Sequence, residues 1–303
     1  MTKINEARLR YLYETARAGS MRAASEQLDI APSSISRQIA MLEKELGLVL
    51  IEKGRRTIKL TEAGETAVSY FRERRSQQEA FISRVQGLSG LREGRIVLAV
   101  GEGLVGNPLF EILTDFMEEH SGIKIATRVI GTNAVLDLIV NDEAHIGMVF
   151  QSPPHPKIRV RSSTEQPMSV IFHPNHRFSH LRSVTLADLQ QERMALPERS
   201  FRIRQVLQEV ERHRGILLNP SLTSNSLLLL KEFAKSGAGV TLLPAIAAYS
   251  EMQAGWLLAR PINDSMLMHT GVHVVTRLGR QLSLAAAKLL QRIEGRMPTI
   301  AQG

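Results

Sequence analysis

Ser33, Ser34, Arg37 and Gln38 place short hydroxyls and long planar donors in one stretch of chain near the N-terminus. Such groups match the acceptors that base edges and phosphate oxygens present in the groove of a nucleic acid duplex. They reach a groove only if the element carrying them projects from a small packed unit. Leu9, Leu12, Ala16, Ala24, Leu28, Ile35, Ile39, Leu42 and Leu46 recur at steps of three and four residues within each of three short segments. That is the period of helices with one buried face. Gly19-Ser20 separates the first segment from the second, and Asp29-Ile30-Ala31-Pro32 separates the second from the third. The helices share one core, and the third, Pro32 to Leu46, is left to project with its polar start outward. Ser20 is placed to cap the second helix. Pro32 suits a first helical turn, and Gly47 a stop.

Next come two β-prone runs, Leu48 to Ile51 and Thr57 to Leu60, around Glu52-Lys53-Gly54-Arg55-Arg56. They predict a hairpin wing whose Arg55, Arg56 and Lys59 reach phosphates or the minor groove beside the third helix. Residues 1–64 hold eleven Lys/Arg against eight Asp/Glu, a difference of +3, so the arrangement of the cations carries more weight than their excess. The whole chain of 303 residues has a formal charge of +8, which favours polyanionic partners.

Residues 9–64 resemble the winged helix-turn-helix of LysR-type transcriptional regulators. The matching strings are Ala23-Ala24-Ser25-Glu26-Gln27-Leu28, Ser33-Ser34-Ile35-Ser36-Arg37-Gln38-Ile39, Leu42-Glu43-Lys44-Glu45-Leu46-Gly47 and Leu60-Thr61-Glu62-Ala63-Gly64. The resemblance implies sequence-specific binding of double-stranded DNA, with Ser20, Pro32, Ser33, Ser34, Arg37, Gln38, Arg55, Arg56 and Lys59 as the contact set. The chain departs from the family in one respect. Members often carry Ser-Gln-Pro where Ala31-Pro32-Ser33 stands here, so a glutamine that commonly contacts DNA is missing.

From Thr61 to Arg92 the chain reads as one long helix without proline. Ala67, Phe71, Arg74, Gln78, Phe81, Val85 and Leu88 step alternately by four and three, a heptad seam. The alternative is one amphipathic helix packed on its own domain. The resemblance favours a dimerising linker through Phe71, Gln78, Phe81, Val85 and Leu88, with Gly87, Gly90 and Gly94 loosening a hinge. A homodimer, and beyond it a homotetramer, is expected. Two heads would then read half-sites about 34 Å or a multiple apart.

Beyond Gly94 strands alternate with helices, which predicts α/β units with mostly parallel sheets. The expected fold is α+β overall. A winged helix-turn-helix (1–64) leads through a linker helix (65–94) to a two-lobed, periplasmic-binding-protein-like effector domain (95–303). Lobe I takes about 95–165 and 270–295, and lobe II about 166–269. The resemblance here rests on Gly237-Ala238-Gly239-Val240-Thr241-Leu242-Leu243-Pro244. Ligands of open α/β sheets bind beyond the carboxyl ends of strands. The loops there supply Glu102, Gly103, Leu104, Thr132, Asn133, Gln151, Arg199, Ser200, Phe201, Ser224, Asn225 and Thr241 as candidate effector contacts.

Gly101-Glu102-Gly103-Leu104-Val105-Gly106 spells a dinucleotide fingerprint. The late helix start at Asn107-Pro108, the acid at Glu102 and the lack of an acid after the next strand argue against that use. Glu102 instead acts either as a selector of donor-rich or cationic ligands, or as a helix-terminal acid satisfied by the dipole. Family members usually place a small hydroxyl residue at this point for an anionic effector.

His173, His176 and His180 lie close together, but Pro174 breaks any common face, so turn histidines are expected and no metal site. Cysteine is absent, which excludes disulfides, thiolate metal sites and cysteine-based redox sensing. No G-x-S-x-G, H-E-x-x-H or Walker loop is present, so no catalytic residue and no cofactor are expected. There is no apolar run long enough for a membrane span and no signal peptide, which predicts a cytoplasmic protein without membrane contact. The competing reading is an α/β enzyme or solute-binding module fused to a DNA-binding head. It needs a convergent acid, base or nucleophile, which the cleft loops do not offer.

Overall fold

The computed structural model describes residues 4–52, 57–87 and 93–302, with side chains to residue 297. Contacts divide the chain into two compact units, Met1–Ile82 with Gly279–Gln281, and Ser83–Leu278 with Leu282–Gly303.

The first unit is helical: α1 (Glu6–Ala18), α2 (Met21–Leu28), α3 (Pro32–Leu46) and the greater part of α4 (Glu62–Gly87). Their ends follow from local chemistry. Asn5 accepts from the Ala7 N–H and Ser20 from the Ala23 N–H, each satisfying a donor of a first turn. α1 and α3 stop at Gly19 and Gly47, both left-handed at φ 72° and 67°, where glycine carries no Cβ penalty. Leu9, Leu12, Ala24, Ile35, Ile39 and Leu42 are buried, while Ala16, Leu28 and Leu46 are only half-buried. Tyr13 and, from α4, Ala67, Val68 and Phe71 complete this core. The wing is reduced to one antiparallel bridge, Ile51 with Leu60, among the described residues. Its base is pinned where Glu43 accepts from the Leu50 N–H at 2.7 Å. At Gly64 a Cβ would lie 2.1 Å from the Leu50 carbonyl oxygen, so only glycine lets α4 start this close.

The second unit holds two five-stranded sheets. In chain order its elements are β1 (Gly94–Val100), α5 (Asn107–Glu119), β2 (Ile123–Val129), α6 (Thr132–Val140), β3 (Ile146–Phe150), β4 (Ile158–Glu165), β5 (Met168–Phe172), α7 (Leu186–Leu189), β6 (Met194–Pro197), α8 (Arg202–Arg214), β7 (Leu222–Ser224), α9 (Leu227–Lys235), β8 (Val240–Pro244), α10 (Tyr249–Gln253), β9 (Leu258–Pro261), α11 (Ser265–Met268), β10 (Gly271–Arg277) and α12 (Leu284–Gln302). The sheets run β2-β1-β3-β10-β4 and β7-β6-β8-β5-β9. Every residue of β3, β5 and β8 is buried, as fits strands covered on both faces. In the first sheet, α5 and α12 cover one face and α6 the other.

The sheets are mostly parallel, as expected, and each also carries one reversed strand, β10 in the first and β5 in the second. β1 is parallel to β2 and β3, and β6 to β7 and β8. β10 is antiparallel to β3 and β4, and β5 to β8 and β9. The cause is the chain path. It crosses from one sheet to the other after β4 and returns before β10, so each sheet receives a strand from the opposite end. The crossings are bonded to each other. The Gln166 N–H donates to the Thr270 carbonyl at 2.8 Å, and the Thr270 hydroxyl donates to the Gln166 carbonyl at 2.7 Å.

Candidate functional site

The first unit presents the start of α3 to solvent. Pro32, Ser33, Ser34 and Arg37 are exposed, while Ile35 and Ile39 face inward, so helical period separates the two faces. Among the described residues Arg37 has no ion-pair partner, which leaves its guanidinium available. Gln38 differs from expectation. It is half-buried and its Oε1 accepts from Arg8 Nε at 3.1 Å, while Arg8 also pairs with Glu45. Ser20 is occupied as the cap of α2. Lys59 is ion-paired with Glu52 at 2.9 Å. Arg55 and Arg56 lie outside the described residues.

The residues assigned to the seam of α4 divide. Phe71 is only 7% exposed and stacks obliquely on Tyr13 at 5.3 Å between ring centroids. This corrects its assignment to a seam between chains, because its face of α4 is used up by the unit's own core. Gln78, Phe81 and Val85 are exposed, with Phe81 at 66% and Val85 at 51%. These two large apolar groups stand four residues apart, on one side of the helix. Leu88 lies outside the described residues.

In the second unit a small cavity of about 30 Å³ lies between the sheets. Gly101, Glu102, Gly103 and Leu104 line it from the end of β1, Ile130, Gly131 and Thr132 from the end of β2, and Phe150 from the end of β3. Phe201, Arg202 and Ile203, after β6, and Pro244, closing β8, complete it from the second sheet. The sheets interlock around it: Phe150 belongs to the core of the second, and Ile246 packs into that of the first. At Gly103 a Cβ would lie 3.4 Å from Leu227 and 3.6 Å from Ala247. Ligand sites usually hold about 300–1,000 Å³. This cavity admits a water or two and no organic molecule.

Two polar residues of the cavity wall, Glu102 and Arg202, each bond to the opposite sheet. Glu102 Oε1 accepts from the Leu227 N–H at 3.1 Å, at the first residue of α9. Arg202 Nε donates to the Gln151 carbonyl at 3.0 Å. Glu102 therefore serves a helix N-terminus, but that of α9 on the other sheet rather than the helix that follows it in sequence.

Of the expected effector contacts, Glu102, Gly103, Leu104, Thr132 and Phe201 line the cavity, whereas Gln151 does not line it and is bonded through its carbonyl to Arg202, which does. Asn133, Arg199, Ser200 and Asn225 are exposed and do not line it. Ser224 is buried as an acceptor for the Ser226 N–H at 3.0 Å, leading into α9. Thr241 is buried inside β8, also away from the cavity. Ile130, Ile203 and Pro244 were not expected. His176 packs between Phe172 and Phe178 and bonds Glu192 at 3.3 Å, a structural role in a turn.

Comparison with known proteins agrees with this geometry. Residues 7–65 match the bacterial regulatory helix-turn-helix protein, lysR family, and residues 89–298 match the LysR substrate binding domain. The RuBisCO operon transcriptional regulator of Allochromatium vinosum is 23% identical over 278 residues, covering 92% of this chain and 91% of the relative. The HTH-type transcriptional activator CmpR of Synechocystis sp. is 24% identical over 276 residues, covering 91% and 90%. Among solved structures, a full-length OxyR variant from Pseudomonas aeruginosa superposes with a TM-score of 0.71 at 16% identity, covering 100% of this chain and 98% of that one. Full-length CbnR complexed with its target DNA superposes with a TM-score of 0.57 at 19% identity, covering 96% and 99%. No helix among the described residues is long and apolar enough to cross a membrane. With a helix-turn-helix exposing the start of α3 and two sheets meeting at their strand ends, the chain belongs to the LysR family of transcriptional regulators, which bind DNA and carry an effector-binding domain and are not enzymes.

Proposed function

We propose that this regulator reads duplex DNA with the start of α3, through Ser33, Ser34 and Arg37, and answers to a small molecule admitted between its two sheets. The observation that carries the second half is convergence. The carboxyl ends of β1, β2, β3, β6 and β8, from both sheets, meet around one cavity. The paired crossings at Gln166 and Thr270 supply a hinge about which the sheets part to admit a ligand. Residues 1–64 act as the head, 65–94 as the linker and 95–303 as the sensor. The protein works in the compartment that holds its DNA, the cytoplasm.

Assembly follows from exposed apolar surface. Phe81 and Val85 on α4 favour a homodimer. Phe110 and Met117 on α5, with Leu228, Leu229 and Trp256 at and near α9, offer further surfaces for a homotetramer.

The test is thermal-shift screening of the full chain against metabolites, followed by gel shift of a duplex selected from a random library. A ligand at a hundred times its Kd adds about 2.7 kcal/mol to the stability of the native state. Such a ligand should alter DNA binding, and the effect should vanish when the cavity is filled by Gly103→Leu. A stabilising ligand indifferent to that substitution would remove the cleft from the proposal.

A further inference from the structure

We propose that Glu102 is an internal anion that latches the two sheets together, and that the ligand working this cleft brings hydrogen-bond donors rather than an anionic group of its own. The first part stands on geometry. α9 begins with a set of backbone donors, and its lead-in is satisfied almost wholly by side chains. Ser224 Oγ accepts from the Ser226 N–H at 3.0 Å, and Ser226 Oγ accepts from the Leu229 N–H at 3.4 Å. The remaining buried donor, at Leu227, is taken by a carboxylate 125 positions away, on the other sheet, at 3.1 Å. Leu227 itself is buried, so an unanswered N–H there would carry the desolvation cost of an orphan donor. A carboxylate is the group best matched to a helix N-terminus, because the first-turn donors and the aligned peptide dipoles act on it together.

Glu102 therefore fills the seat that a ligand carboxylate or phosphate would seek. Arg202 answers it from the opposite direction, reaching from the second sheet to the backbone of the first. A second anion in a cavity of about 30 Å³ would face the Glu102 charge at short range. A ligand with N–H or ammonium groups instead draws Glu102 away from Leu227 and frees the sheets to part. This second part rests on reading the cleft as the effector site; the latch itself does not.

The experiment is amide hydrogen exchange of the full-length protein, read at the segment that contains Leu227, for wild type, Glu102→Ala and Glu102→Gln. Exchange there should rise about tenfold in Glu102→Ala, and excess sodium formate should return it toward the wild-type rate while sodium chloride of equal ionic strength does not. Glu102→Gln keeps an acceptor of the same reach and should lie between the two, without response to formate. Wild type should show no saturable stabilisation by formate, acetate or phosphate. Unchanged exchange in Glu102→Ala, or an effect of formate equalled by chloride, would overturn the latch. Saturable stabilisation of wild type by those anions would overturn the ligand class. No effector is needed for these readings, so failure of the latch leaves the cleft reading standing, and failure of every ligand screen leaves the latch standing.

Discussion

Arg202 and Gln151 are joined by a hydrogen bond of 3.0 Å from the guanidinium Nε to the backbone carbonyl. Gln151 sits in the left-handed region at φ 47°, a conformation that costs energy in any residue with a Cβ. The cost is met by three bonds. Its N–H donates to the Gly271 carbonyl at 2.8 Å, its side-chain oxygen accepts from the Gly271 N–H at 3.0 Å, and its carbonyl is turned toward Arg202. A strained residue beside a crossing between sheets is thus fixed by β10 on one side and by α8 on the other.

Replacing Arg202 by Met keeps the length of the side chain and removes the donor. The loss of this partly buried charge-assisted bond, together with the ion pair that Arg202 makes with Glu209 at 2.8 Å, should cost about 2 kcal/mol, which is a fall in Tm of about 4–8 °C for a unit of this size. Calorimetry on the full chain measures it. DNA affinity without effector should stay near wild type, because α3 belongs to the other compact unit. A Tm unchanged by Arg202→Met would show that the bond contributes nothing to holding the sheets.

His273 on β10 makes stability depend on pH. Burial holds its imidazole below the ordinary value of 6.5, and Nδ1 accepts from the Ser152 N–H at 3.1 Å, so the neutral ring carries its proton on Nε2. The unfolded chain takes up a proton near pH 6.5 and the folded chain resists it. Stability from this group is therefore complete above about pH 6.5 and is lost as pH falls through the depressed value. His273→Asn keeps an acceptor near Ser152 and cannot titrate. Its Tm should fall less than that of wild type over that interval, and equal slopes would remove His273 as the cause.

How far the sequence led is clearest in particular elements. The bounds of α8 (Arg202–Arg214) are legible in the sequence, because its apolar positions keep a helical period and Gly215 stops it. β3 and β5 were legible as unbroken apolar runs. β4 (Ile158–Glu165) and β9 (Leu258–Pro261) show no such run, and both are edge strands. Charge and proline on such strands blunt pairing with other chains and erase the pattern that reveals a strand. In the site, the rule of strand carboxyl ends found Glu102, Gly103, Leu104, Thr132 and Phe201. It overreached at Asn133, Arg199, Ser200 and Asn225, since neighbours in a loop diverge to opposite sides of the turn. Ile130, Ile203 and Pro244 gave no signal, because an apolar cavity wall has the composition of a core. Nor could spacing alone say that Glu102 serves α9, a contact set by the folding of one sheet against the other.

Phe71 and Phe81 carry the same side chain on one helix and should behave as opposites. Phe71→Ala removes a buried ring packed on Tyr13 and should cost about 3–5 kcal/mol, with the Tm falling to match. Phe81→Asp changes an exposed ring and should leave the fold intact while shifting the chain toward monomer in sedimentation equilibrium. Heptad spacing alone cannot separate these cases, since an apolar stripe looks the same whether it meets its own domain or a second copy. An oligomer indifferent to Phe81→Asp would move the proposed interface elsewhere.

Arg37 is the sharpest test of the DNA-reading face. Gln38 is engaged by Arg8, so the long donors on the exposed start of α3 reduce to Arg37 among the described residues. Arg37→Ala should lower affinity for a selected duplex by about 1–3 kcal/mol, roughly ten- to a hundredfold. If the guanidinium meets a base, discrimination against substituted duplexes relaxes at one position and the salt dependence is little changed. If it meets phosphate, all duplexes weaken alike and the slope of log K against log salt falls by about one. The fold should not notice, because an exposed substitution of this kind stays within about 0.5 kcal/mol. Fluorescence anisotropy at several salt concentrations, with calorimetry beside it, separates these outcomes. Unaltered binding by a folded Arg37→Ala protein would show that a different surface of the head meets DNA.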